Sequence, residues 1–178
     1  MAIHLAFLRA INLGSKRVFP KADIQRVVAE AGFEDVDTHI NTGNVRFDTR
    51  MRASPKIEQA LERAFAADRG FDVPTTVFSA TDFRALAADA AQLNARHPGL
   101  ARHYVYLLKQ PPTPARAAAI EATSNEKGDM VVRGRAVHAL LRAGYQAGVV
   151  DPLGAAKLLP DATARTLTVV TTVAAKWC

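Results

Sequence analysis

Val36-Asp37-Thr38-His39-Ile40-Asn41-Thr42-Gly43-Asn44-Val45-Arg46-Phe47 decides how this chain folds. Val36, Thr38 and Ile40 alternate with polar residues, and Val45 and Phe47 do the same beyond Thr42-Gly43-Asn44. Alternation puts the apolar side chains of each run on one face, because successive strand residues point to opposite sides. Two such runs joined through a Gly- and Asn-bearing turn predict a hairpin.

The sequence on either side frames that hairpin with one helix and one strand. Upstream, Pro20 suits the first turn of a helix, where its missing N–H costs nothing. Ile24, Val27, Val28 and Ala31 then fall at i, i+3, i+4 and i+7, and Gly32 supplies a stop. Before that helix, Ala2 to Arg9 reads as a buried strand, with Ile3, Leu5 and Phe7 on one face and His4, Ala6 and Leu8 on the other. Downstream, Ser54-Pro55 opens a helix with Ser54 as N-cap and Ile57, Leu61, Ala64 and Phe65 as its buried stripe. Gly70 closes it, and Val73 to Phe78 is a strand. The order is β-α-β-β-α-β, the split βαβ or ferredoxin-like plan, over residues 1–79.

The same order comes round again. Thr81 to Leu93 predicts a helix and Asn94 to Arg102 a connector, so residues 80–102 bridge two halves. In residues 103–178 the reading is a strand at His103–Leu108, then a helix opened by Thr113-Pro114 and reaching Ala122. A hairpin of Met130–Arg133 and Ala136–Arg142 follows, then a short helix near Gly154–Leu159. A strand at Thr166–Thr171 and a last helical turn at Thr172–Trp177 complete the set. The expected architecture is α+β: two tandem ferredoxin-like subdomains with mixed or antiparallel sheets and helices packed on one face. No residue-level repeat links the halves, so the duplication rests on element order.

In the split βαβ plan the third strand inserts between the first two, which therefore run parallel. Their C-terminal ends lie at one edge of the sheet. That edge gathers Arg9, Asn12, Ser15 and Lys16 from the loop after the first strand with Thr42 and Asn44 from the hairpin turn. Gly14 and Gly43 let backbone N–H groups approach a ligand. Donors dominate, a set suited to an anion or carbonyl rather than to acid–base chemistry. Turn chemistry alone accounts for Asn and Gly here equally well.

Bulk properties narrow the classes. The 178 residues are 49% hydrophobic and 22% charged, an ordinary globular balance, and no run nears the roughly 20 apolar residues of a membrane span. No secretory signal is evident, and the one cysteine, Cys178, excludes an intrachain disulfide; a cytoplasmic home is expected. A net charge of +6 and a pI of about 9.8 favour anionic partners. The five histidines show no metal-ligand spacing, and no nucleophile, phosphate-loop or dinucleotide motif is present, so neither catalytic residues, metal nor cofactor are assigned. His4, His103 and His138 fall in predicted strands, where hydrogen-bonded sheet histidines are expected.

Phe7-Leu8-Arg9-Ala10-Ile11-Asn12-Leu13-Gly14-Ser15-Lys16, Gly32-Phe33-Glu34-Asp35-Val36-Asp37-Thr38 and Ile40-Asn41-Thr42-Gly43-Asn44-Val45-Arg46-Phe47 together resemble the family known as domain of unknown function 1697. Its signature runs LLRGINVGGKN, then GF-x-x-V-x-T-Y-I-x-SGN-V-x-F. Ala10 stands where the family has glycine, His39 where it has tyrosine and Thr42 where it has serine. A C-terminal SKL and TxRNWNTV pattern is eroded: Ala156-Lys157-Leu158, Thr163, Arg165, Val170 and Thr171 fit, whereas Thr166 to Val169 do not. The resemblance implies two ferredoxin-like subdomains and no activity. It carries Arg9, Asn12, Lys16, Gly43, Asn44 and Arg165 over as a shared polar surface.

Three functions are compatible with these residues. The favoured one is a non-catalytic binding protein holding a small anionic or amide-bearing ligand at Arg9, Asn12, Ser15, Lys16, Thr42, Gly43 and Asn44, with Arg165 added from the second half, at the sheet edge or in a cleft between subdomains. The second is an enzyme in which Asp35, Asp37 or His39 approaches from the hairpin. The third is charge-driven nucleic-acid binding or interaction. Base-specific RNA recognition is not expected, because the RNP consensus is missing, although Tyr104 and Tyr106 share a face of the second sheet. Monomer and homodimer both fit.

Overall fold

A computed structural model describes residues 1–149 and 151–178. The elements are β1 (Ala2–Leu8), α1 (Lys21–Glu30), β2 (Glu34–His39), β3 (Asn44–Thr49), α2 (Ser54–Arg69), β4 (Thr75–Ser79), α3 (Ala80–Ala95), β5 (Arg102–Leu107), α4 (Pro114–Glu121), β6 (Gly128–Arg133), β7 (Ala136–Leu141), a 3-10 turn (Ala156–Leu158), β8 (Thr163–Thr166) and α5 (Leu167–Trp177). The fold is α+β, with two four-stranded antiparallel sheets ordered β2-β3-β1-β4 and β6-β7-β5-β8. Two compact units result, residues 1–84 with 173–178, and residues 85–172.

In the first unit, β3 lies between β1 and β2, with Ala6 opposite Val45 and His4 opposite Phe47. Ala6, Leu8, Val45, Phe47 and Val77 form the floor on which α1 sets Ile24, Val27 and Val28, and α2 sets Ile57, Leu61 and Phe65. Each such aliphatic or aromatic side chain contributes roughly 1.5–3 kcal/mol by leaving water. α2 ends on Gly70 in the left-handed region (φ +73°), with its N–H on Ala66 O at 2.9 Å. Ser54 is not the cap of α2: the helix already includes it, Ala53 holds the N-cap position, and no side chain caps the end.

Helices on one face describe only half of this sheet's burial. On the other face Leu5, Phe7 and Phe78 are also fully buried. Phe83, at the start of α3, stacks on Phe7 at 4.8 Å and meets Phe78 edge-on at 5.8 Å. β1 is therefore apolar on both sides, as a central strand covered twice must be.

In the second unit, Thr113 caps α4 through Arg116 N–H at 3.3 Å. The stretch after β7 departs from the sequence reading. Thr166 to Thr171 is not a strand: β8 stops at Thr166 and α5 begins at Leu167. The β-branched run Thr-Leu-Thr-Val-Val-Thr-Thr-Val favours strand by propensity. The local chemistry favours a helix start, since Thr166 Oγ1 accepts from Val169 N–H at 3.3 Å. Val170, Val173 and Trp177 then recur at helical spacing, and all three are buried.

β5 and β7 carry a buried histidine pair. His103 Nε2 and His138 Nδ1 are 2.9 Å apart, and His103 Nδ1 lies 3.2 Å from Asn94 Oδ1. With the Asn94 oxygen accepting, His103 donates from Nδ1 and accepts at Nε2. His138 therefore donates from Nδ1, which leaves its buried Nε2 as an acceptor without a partner among the described residues. Burial lowers the pKa of both rings to about 4, helped at His103 by the charges of His138 and His97 and at His138 by Arg133. The unfolded chain takes up these protons near pH 6.5 and the folded chain only near 4, so stability is intact above about 6.5 and is lost as pH falls between the two. A full shift of this size is worth roughly 3 kcal/mol per ring. Urea midpoints at pH 7.5 and 4.5 are expected to differ strongly for the native protein and much less for a His103→Leu/His138→Leu double variant.

Candidate functional site

The loop after β1 meets the β2–β3 turn at one edge of the first sheet. Leu8 N–H donates to Gly43 O at 2.8 Å, and Arg9 N–H donates to Pro74 O at 2.9 Å. Gly43 has φ +77°, and a Cβ there would fall 2.6 Å from Leu8 Cβ and 2.9 Å from Ile11 Cδ1. Glycine is required for the turn to lie against β1, so Gly43 is buried and packs on protein.

Asn12 builds the loop. Its Nδ2 donates to Phe19 O at 2.9 Å and to Asn41 O at 2.8 Å, while Oδ1 accepts from Phe19 N–H at 2.7 Å. Both amide protons are committed to main chain. Asn12 N–H also donates to Arg17 O at 3.0 Å, which closes a small excursion whose tip, Leu13-Gly14-Ser15-Lys16, is exposed. Asn44, fully buried, spends its amide likewise, donating to His39 O at 3.0 Å and Thr42 Oγ1 at 2.9 Å.

The predicted residues thus divide in two. Asn12, Gly43 and Asn44 are framework. Ser15, Lys16 and Thr42 face solvent, and Arg9 is half-buried beside them in sequence. Arg165 belongs to the second unit: it is buried on β8, donates to Ala164 O at 2.8 Å, and burial lowers its pKa to about 10.

Arg17, which no motif marks in the sequence, is a second brace. Its Nε donates to Ala10 O at 2.5 Å, its guanidinium also bonds Asp72 O, and it lies 4.7 Å above the Phe71 ring. Nothing in the local pattern separates this arginine from Arg9 or Lys16; only the approach of the segment after α2 does so.

Backbone strain concentrates at the same edge. Among the described residues, six non-glycines adopt positive φ, and four of them lie on these two loops: Ala10 (+55°), Asn12 (+53°), Arg17 (+53°) and Ile40 (+51°). Asparagine tolerates this region, but a β-branched isoleucine does not do so readily. Strain of this kind persists only where surrounding contacts over-determine it.

On the neighbouring strand, Asp37 accepts from Lys176 Nζ at 2.7 Å, Trp177 Nε1 at 2.9 Å and Thr38 N–H at 2.8 Å. Partial burial alone would push its carboxyl up; those hydrogen bonds and the ammonium charge outweigh it and hold the pKa below the usual range. This carboxylate is occupied as a tether for the C-terminal helix. Cys178, beyond that helix, is half-buried, and burial pushes its thiol up. Among the described residues, no group of three His, Cys, Asp or Glu side chains comes together to hold a metal ion, and no helix is long and apolar enough to cross a membrane.

The sequence profile of the family described as "Protein of unknown function (DUF1697)" matches residues 1–138, and the chain belongs to that family. The match ends inside β7, ahead of the eroded C-terminal pattern. Among solved structures, the chain is similar to the conserved bacterial protein SP0830 from Streptococcus pneumoniae, with a TM-score of 0.72 and 17% identity over 99% of each chain. At that identity the likeness establishes the fold. No curated protein matches.

Two substitutions separate strain from framework. Ala10→Gly is expected to stabilise: relief of a left-handed alanine is worth roughly 1–2 kcal/mol, against roughly 0.4–1 kcal/mol lost to unfolded-state entropy. A rise in Tm of about 2 °C is the readout. Asn12→Ala, which strands Phe19 and Asn41 backbone groups, is expected to cost roughly 2–3 kcal/mol in a urea melt.

Proposed function

We propose that the protein is a non-catalytic binding protein whose N-terminal sheet edge recognises an anionic small molecule. In this reading Arg9, Ser15, Lys16 and Thr42 touch the ligand, while Asn12, Gly43, Asn44 and Arg17 hold them in place. The observation that carries it is the cluster of left-handed non-glycine residues on two loops tied together by hydrogen bonds: a shape maintained against local preference, with cationic and hydroxyl groups beside it. A net charge of +6 supports an anion over a cation. With both asparagine amides committed to the protein, the contacts left at the edge are cationic and hydroxyl groups, which suit an anion.

The wider reading goes with it. Strand orders β2-β3-β1-β4 and β6-β7-β5-β8, each with a crossover between its first two strands, support two ferredoxin-like units. A single cysteine supports a reducing, cytoplasmic setting.

Thermal shifts with inorganic phosphate, sulfate and citrate test the proposal. At least one anion is expected to raise Tm in the native protein, and Arg9→Ala and Lys16→Ala are expected to abolish that rise while their own Tm stays within about 2 °C of native. Loss of the fold in both variants, or an undiminished rise, contradicts it.

A further inference from the structure

The two sheets share one strand order, but their second crossovers differ. Between β3 and β4 the chain forms α2, 16 residues long, which drives Ile57, Leu61 and Phe65 onto the sheet. Between β7 and β8 the described residues form only the three-residue 3-10 turn. From this stretch Leu153, Ala155 and Leu159 are buried in the core of the second unit, while Ala156 and Ala162 line the space beside them. Ala156 and Ala164, both exposed, leave a space beside these leucines open to solvent. A cavity of about 270 Å³ remains.

Its wall is chemically uneven. Ala139 and Ala164 on the sheet, with Leu153 and Leu159 above, make most of it apolar. Tyr104 and Tyr106, two residues apart on β5, present phenol rings to the same space. Tyr104 Oη pairs with Tyr145 Oη at 3.2 Å, whereas the Tyr106 hydroxyl forms no hydrogen bond with any described residue. Asp151 brings a carboxylate to the lining, and its Oδ1 accepts from Ala156 N–H at 3.0 Å.

We propose that this cavity binds a neutral, planar ring compound of about two fused rings carrying one N–H or O–H donor. Size bears on the first part: an enclosed apolar cavity of about 150 Å³ holds benzene, and this larger pocket, open to solvent on one side, has room for a bicyclic ring. The two tyrosine rings supply faces and edges for an aromatic guest. Tyr106 Oη and the Asp151 carboxylate are the acceptors for the donor. Burial, then the charge of Asp151, pushes the Tyr106 phenol above its ordinary pKa, so it stays neutral at physiological pH. The same carboxylate disfavours an anionic guest, which sets this ligand apart from the anion assigned to the first unit; the two sites stand or fall separately.

Calorimetric titration of the full chain with indole tests the site. One-site binding is expected, with naphthalene also bound. Ala164→Leu fills the cavity and is expected to weaken indole at least tenfold without lowering Tm; Ala139→Val serves if that variant does not fold. Tyr106→Phe is expected to weaken indole roughly fivefold and to leave naphthalene unchanged. The proposal is overturned if indole does not bind, if the cavity-filling variants bind it undiminished, if benzoate binds as well as indole, or if dodecanoate displaces indole and binds more tightly, which would mark an acyl-chain site.

Discussion

Everything at the N-terminal edge depends on the Asn12 side chain. One amide closes its own loop onto Phe19 and reaches the hairpin at Asn41, so two segments distant in sequence become one surface. Gly43 completes the contact from the other side, because only a residue without Cβ fits against Leu8 and Ile11. The left-handed turns at Ala10, Arg17 and Ile40 are then consequences: with the ends of the loop fixed, the chain between them has few conformations left. Arg17 adds the third anchor through Ala10 and Asp72.

This changes what the conspicuous residues are for. Asn12, Gly43 and Asn44 stand out in the sequence because they are polar or small where strand is expected, and all three prove to be internal scaffolding. In the function proposed here, recognition falls to their less conspicuous neighbours at the tip. Such a division is physically economical, since a site holds its geometry only if the residues that position the contacts are not themselves free to move.

Periodicity made most of the fold legible. The alternation of Val45 and Phe47 in β3 and the stripe of Ile24, Val27 and Val28 in α1 report burial, which spacing encodes directly, whereas Ile40 and Ala31, placed on the same faces by spacing, are exposed beyond the ends of β2 and α1. Hydrogen-bond partners are not encoded that way. That both Asn12 amide protons go to carbonyls, or that Arg17 rather than Arg9 or Lys16 braces the loop, depends on which backbone arrives from elsewhere. The misread stretch at Thr166–Thr171 shows the same limit: β-branched residues favour strand, but one hydroxyl accepting from Val169 starts a helix that Val170, Val173 and Trp177 then bury. The pocket in the second unit was equally hidden: the short helix expected near Gly154–Leu159 forms as a 3-10 turn, and unfilled volume beside it leaves no motif.

The central claim is that the strained edge of the first sheet is a binding surface with a fixed frame. Backbone amide chemical shifts recorded during titration with inorganic phosphate test it most directly. Saturable shifts confined to residues 9–17 and 40–43, with Asn12 and Asn44 side-chain amides remaining in their native hydrogen bonds, are the predicted result. Shifts spread without saturation over the basic surface, or no shifts in those two loops, would contradict it.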